Sequence, residues 1–277
     1  ALDNRYQYNG KELNEDFGLN LDLAFYRSYD AAIGRWLQVD PQSEKYFGMT
    51  PYNGMGNNPI LIIDPLGDSI NVSHIQTNNP DSWTKIKDDL EAFTGLSLSV
   101  DDKGNLSYQA SEGKLGGSKR ARKVLMKAIN HKNTVQVKDG PGGGSNVDMD
   151  AATLGERNTV NIDAIQLQGF VDGTSSDLDS RTYGFGMNFL HELGHTQVAG
   201  SKQDYVNSNG DQLGSNVYNV NLIRRQLGAS FGQRVSYNVF NVYSDNSHVY
   251  AAFSQSSLES LRKGEMPSGM FVKFKRK

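Results

Sequence analysis

The stretch Met187-Asn188-Phe189-Leu190-His191-Glu192-Leu193-Gly194-His195-Thr196 decides how this chain is read. On a helix, residues four apart share a face, so the imidazoles of His191 and His195 can reach a single metal ion. Glu192 projects at the neighbouring position, where its carboxylate can take a proton from a water. Phe189, Leu190, Leu193 and Val198 form an apolar stripe beside the histidines, which predicts a buried helix. That helix is expected to stop near Gly200, where glycine tolerates the left-handed C-terminal conformation. Upstream, Thr159-Val160-Asn161-Ile162-Asp163 alternates like a strand. The chain has no cysteine, so imidazoles and carboxylates are the zinc donors it can offer.

From Met187 to Thr196 the chain resembles the active-site helix of zincin metallopeptidases. The resemblance implies an α+β, zincin-like fold with a mixed sheet whose edge lines the cleft. It also implies a Zn2+ cofactor on His191, His195 and a third ligand, with Glu192 as general base for cleaving a protein or peptide substrate. The metzincin pattern would place a glycine at 198 and a His or Asp at 201, but those positions hold Val198 and Ser201. The gluzincin pattern needs a Glu on the next helix. That helix is predicted over Ser215 to Leu227, from Val217, Val220, Ile223 and Leu227, and it contains no acidic residue. The reading favours Asp211, which follows the flexible Gly210 after a ten-residue excursion from Gly200, and leaves Asp204 and His248 open.

A second pattern lies at the N-terminus. Tyr8-Asn9-Gly10-Lys11-Glu12-Leu13 precedes Phe25-Tyr26-Arg27-Ser28-Tyr29-Asp30-Ala31-Ala32-Ile33-Gly34-Arg35-Trp36, and Val39-Asp40-Pro41, Asn57-Asn58-Pro59 and Ile63-Asp64-Pro65-Leu66-Gly67 follow. This stretch, about residues 5 to 67, is similar to the RHS repeat-associated core sequence. The family's segment ends a β-strand shell and is followed by a variable toxin domain. The resemblance therefore implies two domains, a β-rich core remnant over 1–67 and an effector over 68–277. It also implies a bacterial protein secreted or delivered into or onto a target cell, a parent Rhs shell and a cognate immunity protein. Self-cleavage at Asp40-Pro41 and Asp64-Pro65 is implied too, because paired carboxylates sharing a proton supply acid and base.

The rest of the chain narrows the classes. Lys and Arg number 28 against 31 Asp and Glu, a net charge of -3, which argues against a nucleic-acid partner. The basic run Lys119-Arg120-Ala121-Arg122-Lys123 reads as a solvated helix face. No apolar run is long enough to span a bilayer. Gly140-Pro141-Gly142-Gly143-Gly144-Ser145 lacks the Gly-Lys-Ser/Thr of a phosphate loop. Helices are predicted over 80–93, stopped by Gly95, and over 118–130, with strands over 96–100, 106–108, 134–138, 237–243, 249–253 and 270–274. An inert interaction module and a metal-dependent hydrolase of non-peptide substrates remain alternatives to the peptidase.

Overall fold

In a computed structural model of the protein, the described residues are 12–14, 20–23, 28–39, 50–52, 70–110, 116–131, 133–140, 142, 144–147, 158–210 and 212–275. The chain divides into two compact units, Ala1–Asp68 with Asn130–Lys132, and Ser69–Ile129 with Asn133–Lys277. Asp40, Asp64 and Asp211 lie outside the described residues.

The first unit holds an antiparallel meander in the order β1 (Glu12–Asn14), β2 (Leu21–Leu23), β3 (Ser28–Asp30), β4 (Arg35–Trp36). Tyr29 and Trp36 are paired across β3 and β4 and buried, their rings 5.4 Å apart edge to face. Such cross-strand aromatic pairs are the unit of stabilisation in short strands.

The second unit is α+β. It runs β5 (Ile70–Asn71), α1 (Ser73–Asn78), α2 (Pro80–Thr94), β6 (Leu96–Val100), β7 (Leu106–Ala110), α3 (Lys119–Ile129), β8 (Val135–Asp139) and β9 (Asn146–Val147). Then come β10 (Thr159–Ile162), α4 (Ala164–Asp172), α5 (Phe185–His195), α6 (Ser215–Leu227), β11 (Phe240–Val242), β12 (Asp245–Ala252), α7 (Gln255–Arg262) and β13 (Phe271–Lys275). The central sheet is mixed, in the order β5-β8-β10-β9, with β5, β8 and β10 parallel and β9 antiparallel to β10. A β6–β7 hairpin and an antiparallel sheet, β11-β12-β13, complete the unit.

Local chemistry explains the boundaries. Asn79 caps α2 by accepting from the Ser82 N–H, Pro80 opens it, and Gly95 closes it at φ 69°. Helix α5 is buried nearly all round, through Met187, Asn188, Phe189, Leu190, Leu193 and Gly194, as a central core helix must be. Its start has no side-chain cap of its own. Asp89 of α2 reaches across instead and accepts from the Gly186 N–H at 2.8 Å. The close approach depends on glycine, since a Cβ at Gly186 would fall 2.3 Å from Cβ of Asp89.

Several boundaries differ from the sequence expectation. Helix α5 ends at His195 rather than near Gly200. The backbone turns extended at Thr196, whose hydroxyl donates to the Leu193 carbonyl, and a 3-10 turn over Gln197–Ala199 closes on Gly200 at φ 90°. Within 237–243 only Phe240–Val242 is a strand, because the Arg234 guanidinium occupies the carbonyls of Ser236 and Tyr237. No helix among the described residues is long and apolar enough to cross a membrane.

Candidate metal centre

Helix α5 sets His191 and His195 one turn apart, with ring centroids 5.1 Å from each other and planes at 81°. Asp204 gives one carboxylate oxygen to each ring: Oδ1 lies 3.1 Å from Nε2 of His191 and Oδ2 lies 3.1 Å from Nε2 of His195. One donor atom from each residue lies within 4.8 Å of the others, so the three could hold a metal ion. Of the carboxylate and imidazole candidates read from the sequence, the structure brings Asp204 to the pair. His248 is elsewhere, on β12, hydrogen-bonded to Asp245 and Ser247. Asp211 is outside the described residues.

Asp204 reaches the histidines because the loop after α5 folds back on itself. The Gly214 N–H donates to the Asp204 carbonyl at 2.7 Å, the Asn216 N–H donates to the Gln203 carbonyl at 2.9 Å, and Tyr205 bridges Leu213. The loop is thereby closed at its base, and Asp204 stands at that base, against the start of α6. A Cβ on Gly214 would meet the Gln203 carbonyl at 2.3 Å, so only glycine permits this closure.

The orientation of the second imidazole is also specified. Nδ1 of His195 lies 2.7 Å from the Lys202 carbonyl, which can only accept, so Nδ1 carries a proton and Nε2 is the ring nitrogen turned to Asp204. Asn216, on α6, ties the parts together. Its Nδ2 lies 3.0 Å from the His191 carbonyl, 3.1 Å from Nε2 of His195 and 3.1 Å from Oδ1 of Asp204. Gly194 makes room for it, since a Cβ there would sit 1.9 Å from Oδ1 of Asn216. A search for acidic residues on the following helix passes over Asn216. The legible signal was Gly194 inside the motif, which marks a close approach by another element.

Burial and charge act against each other in this group. Burial raises the proton affinity of Asp204, but the hydrogen bonds and charges of both imidazoles outweigh it and hold the carboxyl well below the usual range. Burial pushes His191 down against the pull of Asp204. At His195 burial acts in the same sense, yet Asp204 and then Glu192 overcome it and raise its proton affinity. Glu192 stands beside the group rather than in it, within electrostatic reach of His195 and Asp204. Burial pushes its pKa up to about 8, partly offset by His195. Tyr237 lies against Asp204, and burial followed by that carboxylate's charge keeps its phenolic proton in place.

No family model matches the chain, and no solved structure matches it. A stretch of 62 residues is 44% identical to the salivary gland surface protein 1 of Aedes aegypti. That stretch is 22% of this chain, and the chain spans only 2% of that protein, so the likeness carries no argument about the activity of either unit.

Proposed function

We propose that the unit spanning residues 69–277 is a zinc-dependent metallopeptidase with a zincin-like site, carried as an effector behind the end of an Rhs-type core. The observation that carries this reading is the convergence of His191, His195 and Asp204 beside a buried Glu192. Two imidazole nitrogens and a carboxylate oxygen are a donor set that zinc favours. Donors on one tetrahedral zinc stand roughly 3.3 Å apart, close to the 3.1 Å separations between Asp204 and each Nε2. Asp204 is thus proposed as the third ligand in place of Asp211.

Zinc bound there would lower the pKa of a water and polarise the carbonyl under attack. Glu192 would take the water's proton on its carboxylate and hand it to the leaving amine. Burial alone would keep Glu192 protonated at neutral pH, and the positive charge of a bound metal would lower its proton affinity and leave the carboxylate able to accept. Asn216 and the Lys202 carbonyl hold the His195 imidazole, and Asn216 also holds Asp204 and the His191 backbone carbonyl. Strand β9, antiparallel at the end of the mixed sheet, supports a cleft in which an extended peptide adds to the edge.

The N-terminal meander agrees with a remnant of a β-strand shell, and the core motifs between residues 5 and 67 support the Rhs reading. Delivery to a target cell, a cognate immunity protein and cleavage through Asp40 and Asp64 belong to that same proposal. The test is zinc content of the purified chain together with cleavage of a peptide library read by mass spectrometry. Stoichiometric zinc and cleavage in the wild type, with zinc kept and cleavage lost in Glu192→Gln, is the expected result. A protein that rejects added zinc, or a Glu192→Gln variant cleaving at the wild-type rate, would overturn the reading.

A further inference from the structure

Beside the loop that carries Asp204 lies a cavity of about 250 Å³ whose charged lining is of one sign. Helix α3 contributes Arg120, Lys123 and Lys127, and the segment after α5 contributes Lys202. Residues 120, 123 and 127 are spaced i, i+3, i+7, so α3 presents them as one stripe. The buried face of the same helix, with Leu125 and Ile129, anchors that stripe to the core. Arg120 and Lys123 of the run expected as a solvated helix face thus also line a half-open pocket, with Lys123 still exposed. None of the four cations is ion-paired among the described residues, and no carboxylate lines the cavity.

Three observations identify a ligand rather than a solvated surface. Four like charges around one small space repel one another, and the cost falls when a counter-ion enters. Arg120 is already oriented, since its guanidinium donates to Oδ1 of Asn219 on α6. Its Nε–H is nevertheless buried without a hydrogen-bond partner, so the protein leaves this guanidinium only partly compensated. A guanidinium backed by lysine point charges is matched by phosphate oxygens. The volume falls below the roughly 300–1,000 Å³ of pockets for drug-sized ligands, so the occupant is small.

We propose that this cavity is a binding site for a small phosphate polyanion, a diphosphate or a doubly phosphorylated group, held by Arg120, Lys123, Lys127 and Lys202. It is separate from the metal centre and independent of the peptidase reading. Asn216 and Asn219, three residues apart on α6, place the two sites about one helical turn from each other.

The full chain is titrated calorimetrically with inorganic pyrophosphate, and in parallel with vesicles of phosphatidylcholine with or without phosphatidylinositol bisphosphate. Saturable binding of pyrophosphate, weakened at least tenfold in the Lys123→Gln/Lys127→Gln variant and restored in Lys123→Arg/Lys127→Arg, is the expected result. Pyrophosphate binding without vesicle binding assigns a free anion. Vesicle binding that pyrophosphate competes away assigns a lipid headgroup. Both lysines are exposed, so the Gln variant folds, and with less repulsion its melting temperature without ligand equals or exceeds that of the wild type. Binding of neither probe, or equal binding by wild type and the Gln variant, overturns the proposal.

Discussion

Two places in this molecule set a histidine against an aspartate, and they differ in what surrounds the pair. On β12, His248 meets Asp245 at 2.9 Å, but the carboxylate also accepts from Ser247 and from the Tyr250 hydroxyl. Every partner comes from within five residues of Asp245, next to the exposed Asn246 and Ser247. Those hydrogen bonds, led by Tyr250 and Ser247, hold the Asp245 carboxyl well below its usual range. Asp204, by contrast, is approached by imidazoles 13 and 9 residues before it and by Asn216, 12 residues after it. A histidine and an aspartate that are near in sequence make a turn. Two imidazoles brought by a buried helix to opposite oxygens of one carboxylate form a group that could hold an ion.

The largest expected effect that separates the two regions is catalytic. Glu192→Gln lowers peptide hydrolysis by about 10²–10⁴-fold, because the amide keeps the shape but cannot take the proton. Asp245→Asn leaves hydrolysis unchanged, and equal losses in the two variants would erase the distinction. Asn216→Ala follows. It removes the amide that touches the side chains of His195 and Asp204, two of the three proposed ligands, so zinc affinity falls roughly 10–100-fold, read against a graded chelator. Unchanged affinity would mean that Asn216 only fills space beside Gly194.

The smallest effect tests the support beneath the buried region. Burial pushes the Asp89 pKa up to about 6, against the lowering by the Gly186 N–H and Arg181, while Asp179 and Asp88 add to the rise. A carboxyl with a folded pKa above its unfolded value stabilises fully below the unfolded value, and that contribution is lost as pH rises through the folded value. Wild-type stability should therefore fall between about pH 4 and pH 6 relative to Asp89→Asn, which still accepts from Gly186. Urea unfolding at pH 4, 5, 6 and 7 measures it, and a wild type that gains stability relative to Asp89→Asn as pH rises would contradict the account.

Much of this was legible in the chain, and the failures have physical causes. Helices α2, α3, α5 and α6 carried apolar periodicity, with Gly95 and Gly228 as clear stops for α2 and α6. Helix α7 was not readable, because Ser254-Gln255-Ser256-Ser257 looks like a loop until Ser254 and Ser257 form a capping box. Helix α4 carries the poor helix former Gly169 in its interior and takes its start from Asp163, whose side chain accepts from the Gln166 N–H. His191, Glu192 and His195 needed only helical spacing. The carboxylate between the imidazoles depended on a loop closing through backbone bonds at Gly214 and Asn216, and nothing local distinguishes Asp204 from Asp211 by that criterion.

The most direct measurement is zinc retention against a graded chelator in Asp204→Ala, Asp211→Ala, Asp245→Ala and the wild type. The account predicts that Asp204→Ala alone loses zinc at least tenfold more readily than the wild type, while the other two hold it as the wild type does. Wild-type retention by Asp204→Ala, with loss in Asp211→Ala or Asp245→Ala, would contradict the claim that His191, His195 and Asp204 form the metal centre.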